Sequence, residues 1–167
     1  MARTIISKST VKDVYKLIEK HALVISENST INKMLALLIE ETKTRHVYVT
    51  DNENRLLGSV RLHSILTYFV PSFVLDRNDN EVVSDYLTYF KFSEAISIKD
   101  IMETNPIFVT EETELKRALI LMGDANINEI PVVDQNKRIL GELNLLKVAK
   151  LYLENQGKDL SVDEVIV

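Results

Sequence analysis

The sequence has no cysteine, no tryptophan, four glycines and three prolines among its 167 residues. Without cysteine the chain can form no disulfide, no thiolate metal site and no cysteine nucleophile. Four glycines leave little room for a glycine-rich phosphate loop. Because nothing in this composition argues against a reducing compartment, we expect a cytoplasmic protein.

Long apolar runs and basic runs are also missing. The longest apolar run, residues 66–75, is shorter than the roughly 20 residues that span a bilayer, and it contains Pro71. Acidic residues outnumber basic ones by 25 to 20, so the net charge is -5. A nucleic-acid-binding face needs a surplus of Lys and Arg. We therefore predict neither membrane insertion nor nucleic-acid binding.

Signals of catalysis and of metal binding are weak. His21, His46 and His63 are scattered without the spacing of metal ligands. No nucleophile, base and orienting group occur together in a recognisable motif. We predict no metal site and no catalytic residue. An enzyme is therefore the least favoured functional hypothesis.

The chain contains an internal repeat. Residues 45–65 align without a gap on residues 128–148, and residues 11–14 resemble residues 98–101. Two copies of one structural unit of about 55 residues explain this pattern. The identical pairs are Val49 and Val132, Asp51 and Asp134, Arg55 and Arg138, Leu57 and Leu140, Gly58 and Gly141, and Leu62 and Leu145.

Each copy predicts a short helix, a brief strand, a helix, a hairpin and a final helix. Apolar residues in the central helices recur at helical spacing, so one face of each helix is predicted to be buried. Ser29 and Thr113 precede these helices and are predicted to be their N-caps. The apolar stripes are Ile31, Met34, Leu35 and Leu38 in the first copy and Leu115, Ala118, Leu119 and Met122 in the second.

The predicted hairpins contain polar turns at residues 51–54 and 134–137, between segments rich in β-branched and aliphatic residues. Gly58 and Gly141 are predicted to lie at a strand end. The absence of a side chain there would let either a backbone or a ligand approach closely. We expect any chemistry to gather beside these glycines.

The hairpin residues resemble those of the CBS family. IPVVD at residues 130–134 and ILG at residues 139–141 match the family's hydrophobic-Pro-Val-hydrophobic-Asp strand and hydrophobic-Gly strand. The first copy has Tyr48 in the proline position and RLLG at residues 55–58. The resemblance implies an α/β (α+β) fold with two CBS repeats, each a short sheet packed against helices, in a pseudo-two-fold pair with a helical connector. The predicted boundaries are an N-terminal segment at 1–10, repeats at 11–68 and 98–153, an aromatic-rich connector at 69–97 and a tail at 154–167.

In this family, pairs of repeats often dimerise, and adenine nucleotides or related ligands enter clefts between repeats. The resemblance therefore implies a non-catalytic regulatory or sensory module that binds an anionic small ligand in an inter-repeat cleft. AMP, ADP, ATP or another adenine-containing molecule is the expected ligand, and no cofactor is required. A homodimer and an unidentified regulated protein are the expected partners.

The sequence departs from the family at the positions that hold ribose. Adenosine-binding members carry Ser or Thr three residues after the glycine and Asp six residues after it. Here those positions are Arg61 and Ser64 in the first copy and Asn144 and Lys147 in the second. The missing carboxylates support an alternative function, that of a structural or dimerisation scaffold with a degenerate, empty pocket.

Basic residues near the first glycine offer a different way to hold a ligand. Arg45 and His46 occupy the place where the γ subunit of AMP-activated kinase carries a basic pair that meets phosphates. With Arg61, His63 and Lys147 they could form a basic cleft that favours an anionic ligand. The alternative, which isolated basic residues more often bear out, is that they are solvated strand-end and helix residues. The predicted ligand-binding set is Arg45, His46, Tyr48, Gly58, Arg61, Ser64, Asn105, Ile107, Pro131, Gly141, Asn144 and Lys147.

The connector holds most of the aromatic residues, arranged around a polar centre at residues 76–81. The pattern predicts two helical pieces joined by a turn. The apolar faces of these helical pieces need a partner. Those faces either pack on the chain's own repeats or form a surface for a second protein.

Overall fold

The computed structural model describes residues 6, 8–18, 22–41, 44, 46–62, 64–65 and 97–156. These residues divide into two compact units. One lies within Ala22–Pro106 and is named the first-repeat unit, and the other combines residues of Met1–His21 and Ile107–Val167 and is named the second-repeat unit. The predicted connector at residues 69–97, except residue 97, and the predicted tail at residues 154–167, except residues 154–156, lie outside the described residues.

The first-repeat unit contains a four-stranded sheet in the order β1-β2-β3-β4. Strands β2 and β3 form the predicted antiparallel hairpin, β1 pairs in parallel with β2, and β4 pairs antiparallel with β3. The elements are β1 (Val24–Ser26), α1 (Ile31–Glu40), β2 (His46–Thr50), β3 (Leu56–Arg61), α2 (Ile98–Ile101) and β4 (Glu103–Thr104).

The second-repeat unit contains a three-stranded sheet in the order β5-β6-β7, again with a parallel pair followed by a hairpin. Its elements are a 3-10 helix (Val11–Asp13), β5 (Val109–Thr110), α3 (Leu115–Asp124), β6 (Glu129–Val133), β7 (Ile139–Asn144) and α4 (Leu145–Glu154). The predicted fold class, small sheets packed against helices in a mixed α/β protein, is confirmed.

Each unit has its own hydrophobic core under the central helix. The predicted stripes are confirmed, since three residues of each are buried and the fourth is partly buried against the core. The first core comprises Ile25, Ile31, Met34, Leu38, Val47, Val49, Val60, Ile65, Ile98 and Ile101. The second comprises Val11, Val14, Tyr15, Val109, Leu115, Ala118, Met122, Ile130, Val132 and Leu143.

The short opening helix of each repeat packs in the unit that holds the rest of the other repeat. The amide of Ile98 donates a 2.8 Å hydrogen bond to the Ser29 carbonyl, and the amide of Val11 donates a 2.9 Å bond to the Thr113 carbonyl. Both helices begin with a capping box, in which Ser97 bonds to Asp100 and Thr10 to Asp13. The two units therefore repeat the same backbone contacts.

The predicted N-caps are wrong by one residue. The hydroxyl of Thr30, not that of Ser29, accepts from the Lys33 amide at 3.3 Å and caps α1. Helix α3 begins after Glu114, which makes no side-chain cap, while the Thr113 hydroxyl accepts from the Thr110 amide at 3.0 Å. The carbonyls of Ser29 and Thr113 hold the opening helices instead, so each central helix begins later than predicted.

Candidate functional site

The first-repeat sheet has a second buried face, opposite its hydrophobic core. Because side chains alternate along a strand, Val47 and Val49 enter the core while His46 and Tyr48 point the other way. All five residues of β2 are buried, and His46 pairs with Arg61 on β3. Buried polar groups are costly unless they find partners, so this polar face is the candidate site.

His46 is the least satisfied group on this face. The residue is 7% exposed, its ring centroid lies 5.0 Å from that of Tyr48, and its Nε2 has no hydrogen-bond partner among the described residues. Burial lowers the pKa of His46 from 6.5 to about 4, the Arg61 guanidinium adds to this effect, and the Glu103 carboxylate opposes it. The imidazole is therefore neutral at pH 7, and Nε2 can serve a ligand as donor or acceptor according to its tautomer.

Arg61 already has an anionic partner. Its Nη2 donates to both carboxylate oxygens of Glu103, at 2.7 and 2.9 Å, and both side chains are about half exposed. Glu103 lies on β4 beside Ser59 of β3. The ion pair of Arg61 with Glu103 therefore joins β3 to β4, the last strand in the sheet order. The sequence analysis missed Glu103, because the contact joins residues 42 positions apart.

The second-repeat sheet also buries polar side chains opposite its core, but these bind one another. Lys147 is 1% exposed, and its Nζ donates to the Glu142 carbonyl at 2.8 Å. The Asn144 side chain donates to the Glu142 carboxylate at 3.2 Å and caps α4 by accepting from the Lys147 amide at 3.0 Å. Pro131, which pairs with Glu142, is buried beside them. Lys147 is therefore turned into its own unit and is not a solvated cation.

The space at both glycines is filled by the chain itself. A β-carbon on Gly58 would lie 2.7 Å from the Met102 sulfur and 2.8 Å from the Glu103 carbonyl oxygen, and one on Gly141 would lie 2.9 Å from the Tyr15 ring. Both glycines are the third residue of their strands, so the prediction that they end a strand is wrong. The sequence left open whether a backbone or a ligand comes close to these glycines. In the structure, protein atoms of Met102 and Glu103 come close to Gly58, and the Tyr15 ring comes close to Gly141.

The other predicted site residues are dispersed. Asn105 follows β4 in the left-handed conformation, with φ of 59°, and Ile107 is 41% exposed. Ser64 is partly buried in the first-repeat unit. Arg45 and His63 lie outside the described residues. The structure thus brings His46, Tyr48 and Arg61 together in one unit and Pro131, Asn144 and Lys147 together in the other.

A cavity of about 310 Å³ lies in the second-repeat unit, at the end of β5 and the β6–β7 turn. It contains no predicted site residue, and Glu111, Glu112 and Asp134 make its lining acidic. The Tyr15 hydroxyl donates to Glu111 at 2.5 Å and lowers the pKa of that carboxyl. Within the described parts of the chain, no three His, Cys, Asp or Glu side chains are grouped to hold a metal. An anionic ligand is therefore better served by the His46 face than by this cavity.

No helix among the residues that the structure describes combines the length and the apolar character needed to cross a bilayer.

Comparison with known proteins gives consistent matches along the chain. The family model of the CBS domain matches residues 8–71 and 98–154. A homoserine O-acetyltransferase from Methanococcus vannielii is 29% identical over 133 residues, which is 80% of this chain. The chain spans only 23% of that protein and 25% of a related acetyltransferase from Methanosphaera stadtmanae.

Solved structures with the same fold cover nearly the whole chain. A CBS domain-containing protein from Thermotoga maritima is 29% identical, with a TM-score of 0.67 over 91% of this chain and 97% of that one. CBSX2 from Arabidopsis thaliana, solved in complex with AMP, is 22% identical, with a TM-score of 0.65 over 89% of this chain and 98% of that one. The fold and the repeat organisation of this chain are thus those of known CBS pairs.

Proposed function

This chain belongs to the CBS domain family, and on that premise we propose that it is a non-catalytic regulatory module which binds a phosphate-bearing adenine nucleotide. The observation that carries the proposal is His46, a buried neutral imidazole whose Nε2 has no partner among the described residues. Arg61 lies directly across the hairpin from it. A donor or acceptor held ready beside a guanidinium is suited to a ligand that presents both a hydrogen-bonding group and negative charge.

Ligands of related proteins support the adenine nucleotide. CBSX2 has been solved with AMP, the cytosolic domain of the Mg²⁺ channel MgtE with ATP, and another CBS domain pair with 5′-methylthioadenosine and S-adenosyl-L-methionine. All of these molecules contain adenosine or a close derivative of it. What separates them is the group at the 5′ position, and the Arg61 guanidinium would favour those that carry phosphate there.

We propose that phosphate, not ribose, supplies most of the recognition. The positions at which adenosine-binding relatives carry a ribose-binding carboxylate hold Ser64 and Lys147 here. Neither residue is a carboxylate, and the Lys147 ammonium donates to the Glu142 carbonyl. We therefore expect AMP to bind more tightly than adenosine.

The alternative function is a scaffold with an empty pocket. The pairing of Arg61 with Glu103 favours it, because a neutralised guanidinium attracts an anion less strongly. The two functions differ in one observable, which is whether any nucleotide stabilises the protein.

The test is a thermal-shift screen against AMP, ADP, ATP, S-adenosylmethionine, NAD, coenzyme A and inorganic phosphate. A ligand at 100 times its Kd stabilises the folded state by about 2.7 kcal/mol. We expect this rise to shrink in His46→Gln and in Arg45→Ala, each losing about 1–3 kcal/mol of binding energy. Arg138→Gln, which removes an exposed arginine from the second-repeat hairpin, is the charge-matched control. A flat panel with the unmodified protein would instead establish the scaffold.

We further propose that the protein acts in the cytoplasm as a homodimer and passes its ligand state to a regulated protein. The outer surface of α4 supports a protein interface, since Leu145, Leu146 and Tyr152 are 45%, 72% and 41% exposed. The lysines of the same helix turn inward instead, because Lys147 is buried and Lys150 donates to the Leu17 carbonyl. A helix that exposes leucine and buries lysine needs a partner on its outer face.

Light scattering during size-exclusion chromatography tests the dimer. We expect twice the chain mass of 19.1 kDa for the unmodified protein, and a shift toward the single-chain mass for Leu146→Glu. Glu154→Gln, at the end of the same helix, is the control and should leave the mass unchanged. A single-chain mass for the unmodified protein would contradict the homodimer.

A further inference from the structure

We propose that Glu103 is an internal competitor of the ligand, occupying Arg61 in the ligand-free protein and being displaced when a phosphate-bearing ligand binds. This inference rests on the proposed function and adds the mechanism by which binding would be sensed. Its components are three side chains on one face of three neighbouring strands, His46 on β2, Arg61 on β3 and Glu103 on β4.

The strand register places these three side chains on one face. His46 pairs directly with Arg61, and Glu103 pairs with Ser59, two residues before Arg61 on β3. Residues two apart on a strand share a face, so Glu103 reaches Arg61 diagonally at 2.7 Å. The Glu103 carboxylate therefore occupies the Arg61 guanidinium. An anion that enters beside His46 would need the same guanidinium as its partner.

The ion pair is of a kind that a ligand can displace. Arg61 and Glu103 are 42% and 48% exposed, and half-exposed pairs contribute little to stability because water screens them. A phosphate group carries up to two charges and three acceptor oxygens, whereas Glu103 carries one charge and two oxygens. The exchange thus replaces a weak partner of Arg61 by a stronger one at a guanidinium that is already half exposed.

Displacement would change β4. This strand has two residues, and its register with β3 consists of Gly58 with Thr104 and Ser59 with Glu103. It is followed at once by Asn105 in the left-handed conformation, so its end is marked by a sharp change of backbone direction. Loss of the Glu103 side-chain contact removes the charged anchor of one of the two residue pairs, which would convert ligand binding into loosening of β4.

The corresponding place in the second-repeat unit lacks this pair. By the internal repeat, Asn144 corresponds to Arg61 and Lys16 corresponds to Glu103. Lys16 lies at 3.2 Å from Glu111 instead. A competitor opposite a cationic site is therefore a property of the first-repeat unit alone among the described residues.

The experiment is a titration with inorganic pyrophosphate, followed by the NMR signal of the His46 ring. We expect Glu103→Gln to bind about fivefold more tightly than the unmodified protein, the factor corresponding to the upper range for a half-exposed ion pair. Arg61→Gln should lose at least as large a factor. Glu53→Gln, which removes an exposed carboxylate paired with Arg55 at 3.4 Å, is the control for net charge and should leave the affinity unchanged.

Equal affinity in Glu103→Gln and Glu53→Gln would overturn the competition, as would undiminished binding by Arg61→Gln or no pyrophosphate binding by any variant. These failures leave the proposed function intact if a nucleotide still stabilises the protein in the thermal-shift panel. If that panel is flat as well, both proposals fail. Amide exchange at residues 103–104 provides the second measurement, and unchanged exchange on saturation with pyrophosphate would refute the loosening of β4.

Discussion

The two units use the same backbone arrangement but differ on the sheet face opposite the core. His46 and Arg61 in the first-repeat unit correspond to Glu129 and Asn144 in the second. The first pair leaves a buried nitrogen without a described partner and a guanidinium held by a half-exposed carboxylate. In the second unit Asn144 bonds to Glu142 and caps α4. The polar side chains of the second-repeat face thus bind within their own unit, whereas His46 Nε2 on the first-repeat face has no partner among the described residues.

The core residues and the polar residues that differ between the units alternate along the same strands. Val47 and Val49 in β2 occupy the same core positions as Ile130 and Val132 in β6, and all four are buried. The residues between them are free to differ, because they do not touch the core. A repeat can therefore keep its fold while the polar residues opposite its core change.

The largest expected effect concerns the glycines, where the two units should differ in stability. In Gly58→Ala the new methyl group meets a strand carbonyl, that of Glu103, at 2.8 Å. The carbonyl can move only if β4 shifts, so we expect a loss of about 3 kcal/mol in the free energy of unfolding, at the upper end for overpacking. Urea unfolding measures this loss.

Gly141→Ala is the matched change in the second-repeat unit. Its methyl group meets the Tyr15 ring at 2.9 Å, and a side chain can yield more readily than a backbone. We expect a loss of about 1 kcal/mol. Because Tyr15 is itself a core residue that bonds to Glu111, the cost of Gly141→Ala should be smaller when it is measured against Tyr15→Leu as the reference protein. An equal loss for the two alanine variants would show that the contacts at the glycines do not distinguish the units.

The second prediction concerns acid sensitivity, which should arise from His46. Its pKa is about 4 in the folded protein against 6.5 when unfolded, so the unfolded chain takes up a proton first as the pH falls. The stability associated with the neutral imidazole is complete above pH 6.5 and is lost between pH 6.5 and 4. We expect a loss of about 2 kcal/mol between pH 7 and pH 5.

Urea unfolding at the two pH values measures the effect, and His46→Gln should remove most of it. The carboxyls of Asp51 and Asp100 also have lowered pKa values, from hydrogen bonds with Arg55 and Ser97 respectively. These two carboxyls change the free energy of unfolding mainly at lower pH, and they do so equally in the unmodified protein and in His46→Gln. If His46→Gln retains the same pH dependence, the imidazole is not its source.

The smallest prediction concerns the hairpin turns. Asn54 and Lys137 occupy corresponding positions, both with φ of 62°. Asparagine tolerates the left-handed region better than lysine does, so Asn54→Lys should lower the free energy of unfolding by about 0.5 kcal/mol. Asn52→Lys is the control, since Asn52 is not among the residues with positive φ. A loss of the same size in the control would point to charge and not to backbone conformation.

Local patterns predicted the elements of the fold well. The stripes of α1 and α3 and the two hairpins follow from spacing within about ten residues, and the structure confirms them. The predicted N-caps were wrong by one residue, and the carbonyls of Ser29 and Thr113 accept from the amides of Ile98 and Val11. Those contacts join distant parts of the chain, which periodicity cannot reveal.

The candidate site was only partly predictable. His46 and Arg61 could be found because they flank a recognisable hairpin motif. Glu103 and Glu142 were missed, since the first becomes relevant only when β4 pairs with β3, and the second reads as an ordinary exposed acid although it is 0% exposed. Whether a lysine such as Lys147 turns inward depends on the side chains around it, and a single sequence does not specify them.

The exchange of opening helices also sets the smallest piece of this sequence that can be moved to another protein. A fragment that stops at residue 68 would leave the core around Ile31 without Ile98 and Ile101. A fragment that starts at residue 98 would lack Val11, Val14 and the Tyr15 ring that covers Gly141. A single repeat cut at these bounds would therefore lack part of its core, so we expect the two repeats to fold in another protein only when they are transferred together.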